Sequence, residues 1–426
     1  MDCIRSAVWF EKRLQSNQTV EFKYFMRVTM RFLYGFVCWF LYSTAIMPLS
    51  VVYAEQPTDS PLGISSVTES VNKLIEEKFI AGATVMVSHK GQLIHFEAQG
   101  HRDIAENSQL KIDDIFRIYS MTKPITTVAA LMLVEDGKLE LDAPVDRYLP
   151  ELAELKVRKL GRDAPPETPI TIRHLMTHTA GFTYGFFSMT PVDIQYNMDH
   201  PLYSKNNEEM VAKMAKYPLL FQPGEKWHYS MATDVLGHVV ERVSGESLGE
   251  FFKTRIFEPL NMVDTAFFIS QDRLHRFTSV YRQHQKPYES YKNNSFQIPN
   301  RIQSGGGGLV STAQDYMNFC EMLLHGGVFE GKRLLSESMV KEMTRNHLPD
   351  GVLVYGYFGF GLGVQVQLSD WGDKAHVGEY GWSGAASTHF WISPEDELIV
   401  IALSQREPFS TRLKDTIKAD IYRAIK

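Results

Sequence analysis

The sequence Ser-Met-Thr-Lys at residues 120–123 heads a helical run, and it constrains the fold more than any other stretch. From 124 to 134 apolar residues recur at three- and four-residue spacing, the period of a helix with one buried face. Pro124 falls in the first turn, where a missing N–H costs little, and Gly137 supplies a stop. Residues three apart project from one helix face, so the spacing predicts a hydroxyl beside an amine at the positive end of the helix dipole.

This pairing suits nucleophilic catalysis. A serine hydroxyl becomes a good nucleophile only when a neighbouring base removes its proton. Lys123 can be that base if its pKa is lowered, which burial and the helix N-terminus both favour. The same four residues also fit a helix cap followed by a surface lysine, and such a match arises by chance in many chains of this length. The interpretation of Ser120 as a nucleophile therefore depends on partners elsewhere in the chain.

Length and charge describe an ordinary globular chain. The sequence has 426 residues, a hydrophobic fraction of 44% and a formal net charge of −6. This length is enough for a sizeable core and predicts two lobes. Because the chain is mildly acidic and carries no basic stripe, we expect no nucleic-acid partner.

The first 54 residues have a different composition from the remainder. Arg31 precedes an apolar run from Phe32 to Met47, and small residues end the segment at Ala54. This pattern predicts a signal peptide cleaved after Ala54, with translation starting at Met1 or at an internal methionine, 26 or 30. The alternative is an uncleaved anchor, but the run of about 16 residues is shorter than the roughly 20 that span a bilayer. We therefore expect residues 55–426 in the periplasm or secreted, without a membrane span after processing.

Strand patterns occur near both ends of the exported part, and the middle is mainly helical. The predicted strands are Ala83–Ser88, Gln92–Ala98, Gly361–Leu368, Ser387–Ile392 and Leu398–Ser404. This arrangement predicts one sheet built from both termini, in an α/β lobe of residues 65–150 and 300–426. A mostly helical lobe, residues 151–299, is inserted between them.

Two further stretches carry residues suited to the same chemistry. Tyr229 follows a Pro-Gly turn and precedes a helix predicted from Ala232 to Val243. Its phenol can move a proton between nucleophile and leaving group if a nearby ammonium lowers its pKa. Near the C-terminus, Gly381 to Ala385 form a small-residue turn that a substrate carbonyl can approach closely. A main-chain N–H there could form an oxyanion hole together with that of Ser120.

The order of these three segments resembles the serine β-lactamase and penicillin-binding protein superfamily, above all the class C β-lactamases and the family VIII carboxylesterases. Three more stretches share the resemblance, which covers residues 65 to 425: Ile170–Phe182, Gly305–Thr312 and Phe358–Gly363. The resemblance implies a β-lactamase/transpeptidase-like α/β fold, an antiparallel sheet flanked by helices, and no cofactor or metal. It makes Ser120 the acylated nucleophile, Lys123 and Tyr229 its base and proton relay, and Ala385 N–H the second oxyanion donor.

The chain departs from the class C pattern at two positions. Those enzymes carry asparagine two residues after the tyrosine, where this chain has Met231, and Lys-Thr-Gly where it has Trp382-Ser383-Gly384. These four residues are the predicted substrate contacts. A thioether and an indole in place of an amide and a cation favour a neutral, more apolar acyl group. The sequence thus predicts a hydrolase of small carboxylic esters; a β-lactamase or D-amino-acid peptidase acting on an amide and a non-hydrolytic penicillin-recognising sensor stay open, as does the oligomeric state.

Other patterns in the chain resemble motifs of different chemistry, but their sequence context does not support those functions. Residues 245–249 match the Gly-x-Ser-x-Gly elbow of α/β-hydrolases, but they follow a helix, and Ser247 with Glu250 predicts a capping box. His174 and His178 have the spacing of metal ligands, yet no third ligand stands near, so we expect structural histidines. The glycines at 305–308 lack the Gly-Lys-Ser/Thr ending of a phosphate loop. Cys320, in a helical pattern, is expected to be a core residue.

Overall fold

A computed structural model describes residues 63–159, 161–282, 289–291, 294–298 and 302–426. The predicted signal peptide, residues 1–54, lies outside the described residues. Within the described ranges, none of the helices combines the length and apolar character needed to cross a bilayer.

Ten α-helices occur in the described residues: α1 Ser65–Glu76, α2 Thr122–Glu135, α3 Ile172–Met176, α4 Pro191–Met198, α5 Asn207–Met214, α6 Ala232–Ser244, α7 Leu248–Phe252, α8 Ala313–Leu324, α9 Glu337–Thr344 and α10 Arg412–Ala424. The strands of the same ranges are β1 Gly82–His89, β2 Gln92–Asp103, β3 Ser108–Gln109, β4 Phe116–Arg117, β5 Val157–Lys159, β6 Arg162–Ala164, β7 Val280–Arg282, β8 Glu289–Tyr291, β9 Val310–Ser311, β10 Val328–Phe329, β11 Lys332–Arg333, β12 Phe358–Phe360, β13 Gln365–Gln367, β14 Tyr380–Gly384, β15 Thr388–Ser393, β16 Leu398–Ser404 and β17 Arg406–Glu407.

The largest sheet of the described residues has eight strands in the order β12-β13-β14-β15-β16-β1-β2-β3. Neighbouring strands in it run antiparallel. An early strand, β1, therefore lies inside the sheet, between β2 and the late strand β16. The prediction of an antiparallel sheet built from both ends of the domain is confirmed.

Helices cover both faces of this sheet. On one face, Val85 of β1 and Val400 of β16 pack with α1 and α10. On the other face, Met86 and Ile401 join the main core, to which α2 and α8 contribute. Because both faces are covered, β1, β15 and β16 are buried along nearly their whole length.

The stretch predicted as a strand from Gly361 to Leu368 differs in the structure. It is a turn followed by β13, and the preceding residues form the partner strand β12. Gly363 has a φ of +76°, and a Cβ there would collide with the Thr127 side chain on α2. Gly363, which the sequence places in a predicted strand, is thus required in the turn where the β12–β13 hairpin contacts α2.

Helices α3 to α7 fall in the range 151–299 and pack on the same core as the sheet. Helix α6 lies against α2. This contact brings the segment that precedes α6, which carries Tyr229, beside the head of α2, which follows Ser120. Two regions about 110 residues apart in sequence therefore meet at one point.

Candidate active site

Ser120 lies in a 3₁₀ turn, Tyr119–Met121, that runs directly into α2. The preceding Tyr119 has a φ of +41°, a strained conformation for a residue with a side chain. Ser120 is half-buried, whereas Lys123 is completely buried one turn later. The predicted helix start beside Ser120 is confirmed, and the sharp turn presents the hydroxyl toward a cavity that it lines.

The Lys123 ammonium donates three hydrogen bonds. Its Nζ lies 3.2 Å from Ser120 Oγ, 3.0 Å from Tyr184 Oη and 2.6 Å from the Gly306 carbonyl oxygen. Burial lowers the pKa of Lys123 to about 7, while the negative charge of Asp234 acts in the opposite direction. A lysine with such a pKa is partly neutral near pH 7, as a general base must be.

Tyr229 adjoins the same two side chains. Its ring lies 4.5 Å from Lys123 Nζ, and its hydroxyl accepts a 3.3 Å hydrogen bond from Trp382 Nε1 and interacts with the Ser120 hydroxyl. Burial raises the pKa of Tyr229, and these two hydrogen bonds only partly offset the rise. The sequence expectation that an ammonium lowers this pKa is wrong, because the lysine faces the ring and burial dominates. Tyr229 is thus a phenol, able to donate or relay a proton.

Two residues of this site escaped the sequence interpretation. Tyr184 accepts from Lys123, and burial raises its pKa, with Asp234 adding to the rise. The buried Asp234 carboxylate accepts from Ser304 Oγ and, at 3.0 Å, from Gly306 N–H. Burial raises the pKa of Asp234, and the nearby Lys123 lowers it in part. A carboxylate and a second phenol therefore surround the predicted base, and neither lies in a recognisable motif.

Strand β14 forms the opposite wall of the site. Trp382 points to the Tyr229 side, with ring centres 5.4 Å apart. Gly384 packs against the Ile118 carbonyl, where a Cβ would collide, so the strand end lies against the turn that carries Ser120. The next residue, Ala385, lines the same cavity. The predicted oxyanion donors, the main-chain N–H groups of Ser120 and Ala385, therefore belong to adjoining segments.

Ser383 presents its side chain to the opposite face of β14. Its hydroxyl contacts His389 Nδ1 at 2.8 Å, on the side of the sheet that α10 covers. Successive side chains of a strand alternate between faces, so Trp382 and Ser383 cannot both face the nucleophile. Ser383 still lines the cavity, so its role as a substrate contact stays a prediction, but its hydroxyl bonds to His389 and is directed away from Ser120.

Met231 also differs from its predicted position. Its side chain is fully buried and belongs to the main hydrophobic core. It immediately precedes α6, where the chain turns inward and the side chain packs among core residues. Met231 is thus a core residue in this structure, and the interpretation of it as a substrate contact is corrected.

The residues that suggested other chemistry have structural roles. Ser247 caps α7 by accepting from Glu250 N–H at 3.3 Å, which confirms the serine half of the predicted capping box. His174 caps α3 by accepting from Thr171 N–H, and His178 packs against the Tyr229 ring. Across the described residues there is no cluster of His, Cys, Asp and Glu suited to a metal ion.

A cavity of about 1070 Å³ opens beside Ser120. On the nucleophile side its walls are largely aromatic, and the residues concerned are Tyr184, Phe186, Phe187, Tyr229, Tyr355 and Trp382. The cavity lining continues to the side of the sheet that α10 covers, where Lys414 and Lys418 of that helix border it. Pockets that are mainly apolar with a few convergent polar groups are typical of small-molecule sites.

Comparisons with known proteins agree on one family. The Beta-lactamase family model matches residues 67–423. Protein Rv1367c of Mycobacterium tuberculosis is 33% identical over 80% of this chain and 89% of its own length. Lovastatin esterase of Penicillium rubens is 30% identical over 81% of this chain and 94% of its own.

A solved structure supports the same relation. EstCE1, described as a hydrolase with promiscuous acyltransferase activity, superposes with a TM-score of 0.75 at 27% identity. The match covers 84% of this chain and 98% of EstCE1. The predicted β-lactamase/transpeptidase-like fold is confirmed.

Proposed function

The chain belongs to the beta-lactamase family and is a serine hydrolase, and from this premise we propose that it cleaves carboxylic esters through an acyl-enzyme on Ser120. The observation that carries the proposal is the wall opposite the nucleophile. Trp382 stands there, hydrogen-bonded to Tyr229, where the class C β-lactamases have a lysine. An indole provides apolar surface and a neutral donor, and a neutral ester requires no cation.

In acylation, neutral Lys123 takes the proton of the Ser120 hydroxyl as Oγ attacks the ester carbonyl carbon. The carbonyl π pair becomes an oxyanion, which the N–H groups of Ser120 and Ala385 receive. When the ester C–O bond breaks, the Tyr229 phenol supplies a proton to the leaving alkoxide and recovers one from the Lys123 ammonium. Water then attacks the acyl-enzyme by the same proton path and releases the carboxylic acid and free Ser120.

Acyl transfer to an alcohol is the second candidate. EstCE1 is described as a hydrolase with promiscuous acyltransferase activity, and a second relative is named lovastatin esterase. The aromatic part of the cavity beside Ser120 would hold an acceptor alcohol next to an acyl chain on the serine. The alcohol would replace water as the second nucleophile, and the proton path would be unchanged.

Export remains part of the proposal. The basic, apolar and small residues that end at Ala54 support cleavage there and a periplasmic or secreted enzyme. N-terminal sequencing of a periplasmic fraction should then begin at Glu55. An intact N-terminus recovered from membranes would contradict cleavage.

A substrate panel tests ester hydrolysis. We expect kcat/KM for p-nitrophenyl acetate to hexanoate to exceed that for any penicillin by about a hundredfold. The reason is the missing charge-assisted contact, worth about 1.5–3 kcal/mol or one to two decades. Trp382→Lys should narrow this gap. The matched control Trp371→Lys adds the same charge at the exposed rim of the cavity and should leave the gap unchanged.

The rival functions give different results in the same panel. Penicillin turnover as fast as ester turnover would contradict the esterase proposal, as would preferred cleavage of a D-Ala-D-Ala peptide. Labelling of Ser120 by penicillin without turnover of any substrate would identify a sensor. An added alcohol that diverts the acyl group into a new ester would support acyl transfer.

A further inference from the structure

Exposed aromatic rings surround the mouth of the cavity beside Ser120. We call them the aromatic collar, and its members are Phe186, Phe187, Tyr203, Tyr355, Tyr357 and Trp371. Tyr203 is 87% exposed and Phe186 63%. Soluble proteins seldom leave so many large apolar side chains exposed together, and such patches mark interaction sites.

The collar is continuous with the site. From Tyr229 the rings run outward through Phe187, at 5.9 Å between centres, to Phe186 at a further 4.6 Å. A second path leads from Tyr229 through Trp227, at 6.2 Å, to Tyr355 at 5.6 Å. An apolar molecule can therefore move from the surface to the nucleophile while remaining in contact with aromatic rings.

The exposed conformation is held in place by buried polar contacts. The Asp193 carboxylate, buried at the start of α4, accepts from Thr183 Oγ1 at 2.7 Å and from Thr190 Oγ1 at 2.6 Å. These bonds tie both ends of the loop that carries Phe186 and Phe187. Because the backbone is fixed from below, the rings stay directed at solvent instead of folding inward.

The apolar surface extends past the cavity along α4. Met189 and Met198 are each 82% exposed and lie at the two ends of this region, outside the cavity lining. The two segments of the collar, residues 186–203 and 351–371, contain three aspartates, at 193, 199 and 370, and no lysine or arginine. A surface without basic residues does not suit an anionic membrane, which attracts clusters of lysine and arginine. The collar therefore suits a partner that is uncharged and lipophilic.

We propose that the aromatic collar docks the enzyme on the surface of an aggregated neutral ester, a droplet or micelle, from which single molecules enter the cavity. This inference rests on the proposed esterase function and specifies its substrate as water-insoluble, uncharged esters. The area that would contact the aggregate is the collar together with Met189 and Met198. Apolar burial is the driving force, so docking needs no ionic contact.

The test follows the hydrolysis of tributyrin as its concentration passes the solubility limit. We expect the rate to rise again beyond the limit, and the protein to sediment with tributyrin droplets. Met189→Gln combined with Met198→Gln should reduce droplet binding and the additional rate by about tenfold, since two apolar side chains no longer bury in the droplet. The rate on dissolved p-nitrophenyl butyrate should be unchanged. Val263→Gln, 70% exposed and remote from the collar, is the matched control.

Each other outcome has a definite meaning. A rate that saturates at the solubility limit, with no protein on the droplets, would overturn docking and leave the esterase function intact. A double variant that behaves like Val263→Gln would overturn the role of the collar. Concentration-dependent dimers that the double variant abolishes would mean that a second copy covers the surface. Failure to cleave dissolved p-nitrophenyl butyrate would instead contradict the esterase function itself.

Discussion

Two serines of this chain stand in patterns that hydrolases use, and their surroundings differ completely. Ser120 follows a residue with positive φ, heads the long helix α2 and lies 3.2 Å from a buried amine. Ser247 is exposed, and its hydroxyl already accepts the Glu250 N–H of the five-residue helix α7. Ser247 matches the longer motif, but only Ser120 has a base and an adjoining cavity. A nucleophile is therefore identified by the groups around its oxygen in space and not by the residues that flank it in the sequence.

Substituting each serine in turn is the most direct way to break this comparison. Ser120→Ala should remove labelling by a fluorophosphonate probe and lower kcat by on the order of 10⁵-fold or more, as loss of a serine nucleophile does elsewhere. Ser247→Ala should retain labelling and activity and lower the free energy of unfolding by about 1 kcal/mol, the usual cost of a lost N-cap. Labelling that survives Ser120→Ala would assign the nucleophile to another residue.

Removing the groups around the Ser120 oxygen sharpens the comparison further. Lys123→Ala and Tyr229→Phe should each lower kcat by roughly 10²–10⁴, the range of general acid–base catalysis. The double variant should lose much less than the product of the two losses, because both groups move the same proton. Circular dichroism should show an intact fold in all three. Losses that multiply would mean that only one of them handles the proton.

The smallest expected effect concerns pH. With the pKa of Lys123 near 7, the neutral amine becomes about tenfold scarcer for each pH unit below 7, so kcat/KM should fall on the acid side and level off above it. The carboxylate of Asp234 raises this pKa, so Asp234→Asn should lower it and shift the acid limb to lower pH.

Asp315 provides the matched control for this shift. It is also buried, its pKa is raised by burial to about 6, and it accepts from Thr265 Oγ1 at 2.8 Å. Asp315→Asn should therefore affect stability and leave the acid limb where it is. An acid limb that moves to higher pH in Asp234→Asn, or equally in both variants, would contradict the electrostatic role of Asp234.

The sequence predicted the elements of this site better than it predicted the directions of its side chains. Helical periodicity after Ser120 and the turn before Tyr229 depend on local rules, and both predictions hold. Met231 was misjudged, and the direction of the Ser383 hydroxyl was not foreseen, because the direction of a side chain depends on packing and strand register, which are tertiary properties.

Tyr184 and Asp234 were missed for a related reason. Neither residue is distinctive in its own segment. Their role beside the predicted base arises only where α2, α6 and the 305–308 turn meet around Lys123. The one local signal is the pair of glycines around Tyr184, Gly181 and Gly185. Both have positive φ in the structure, which indicates an unusual backbone but not a proton path.

The position of β1 in the sheet bears on how the protein is made. β2 follows β1 directly in the chain and is available to pair with it early in synthesis, but the other edge of β1 has no partner until β16 has been made, after Ser120, Lys123, Tyr229 and Trp382. Such distant pairing is slow, and an open strand edge invites association with other chains. Synthesis and folding are thus separated in time, and a nascent chain that lacks β16 has no completed sheet to support Ser120.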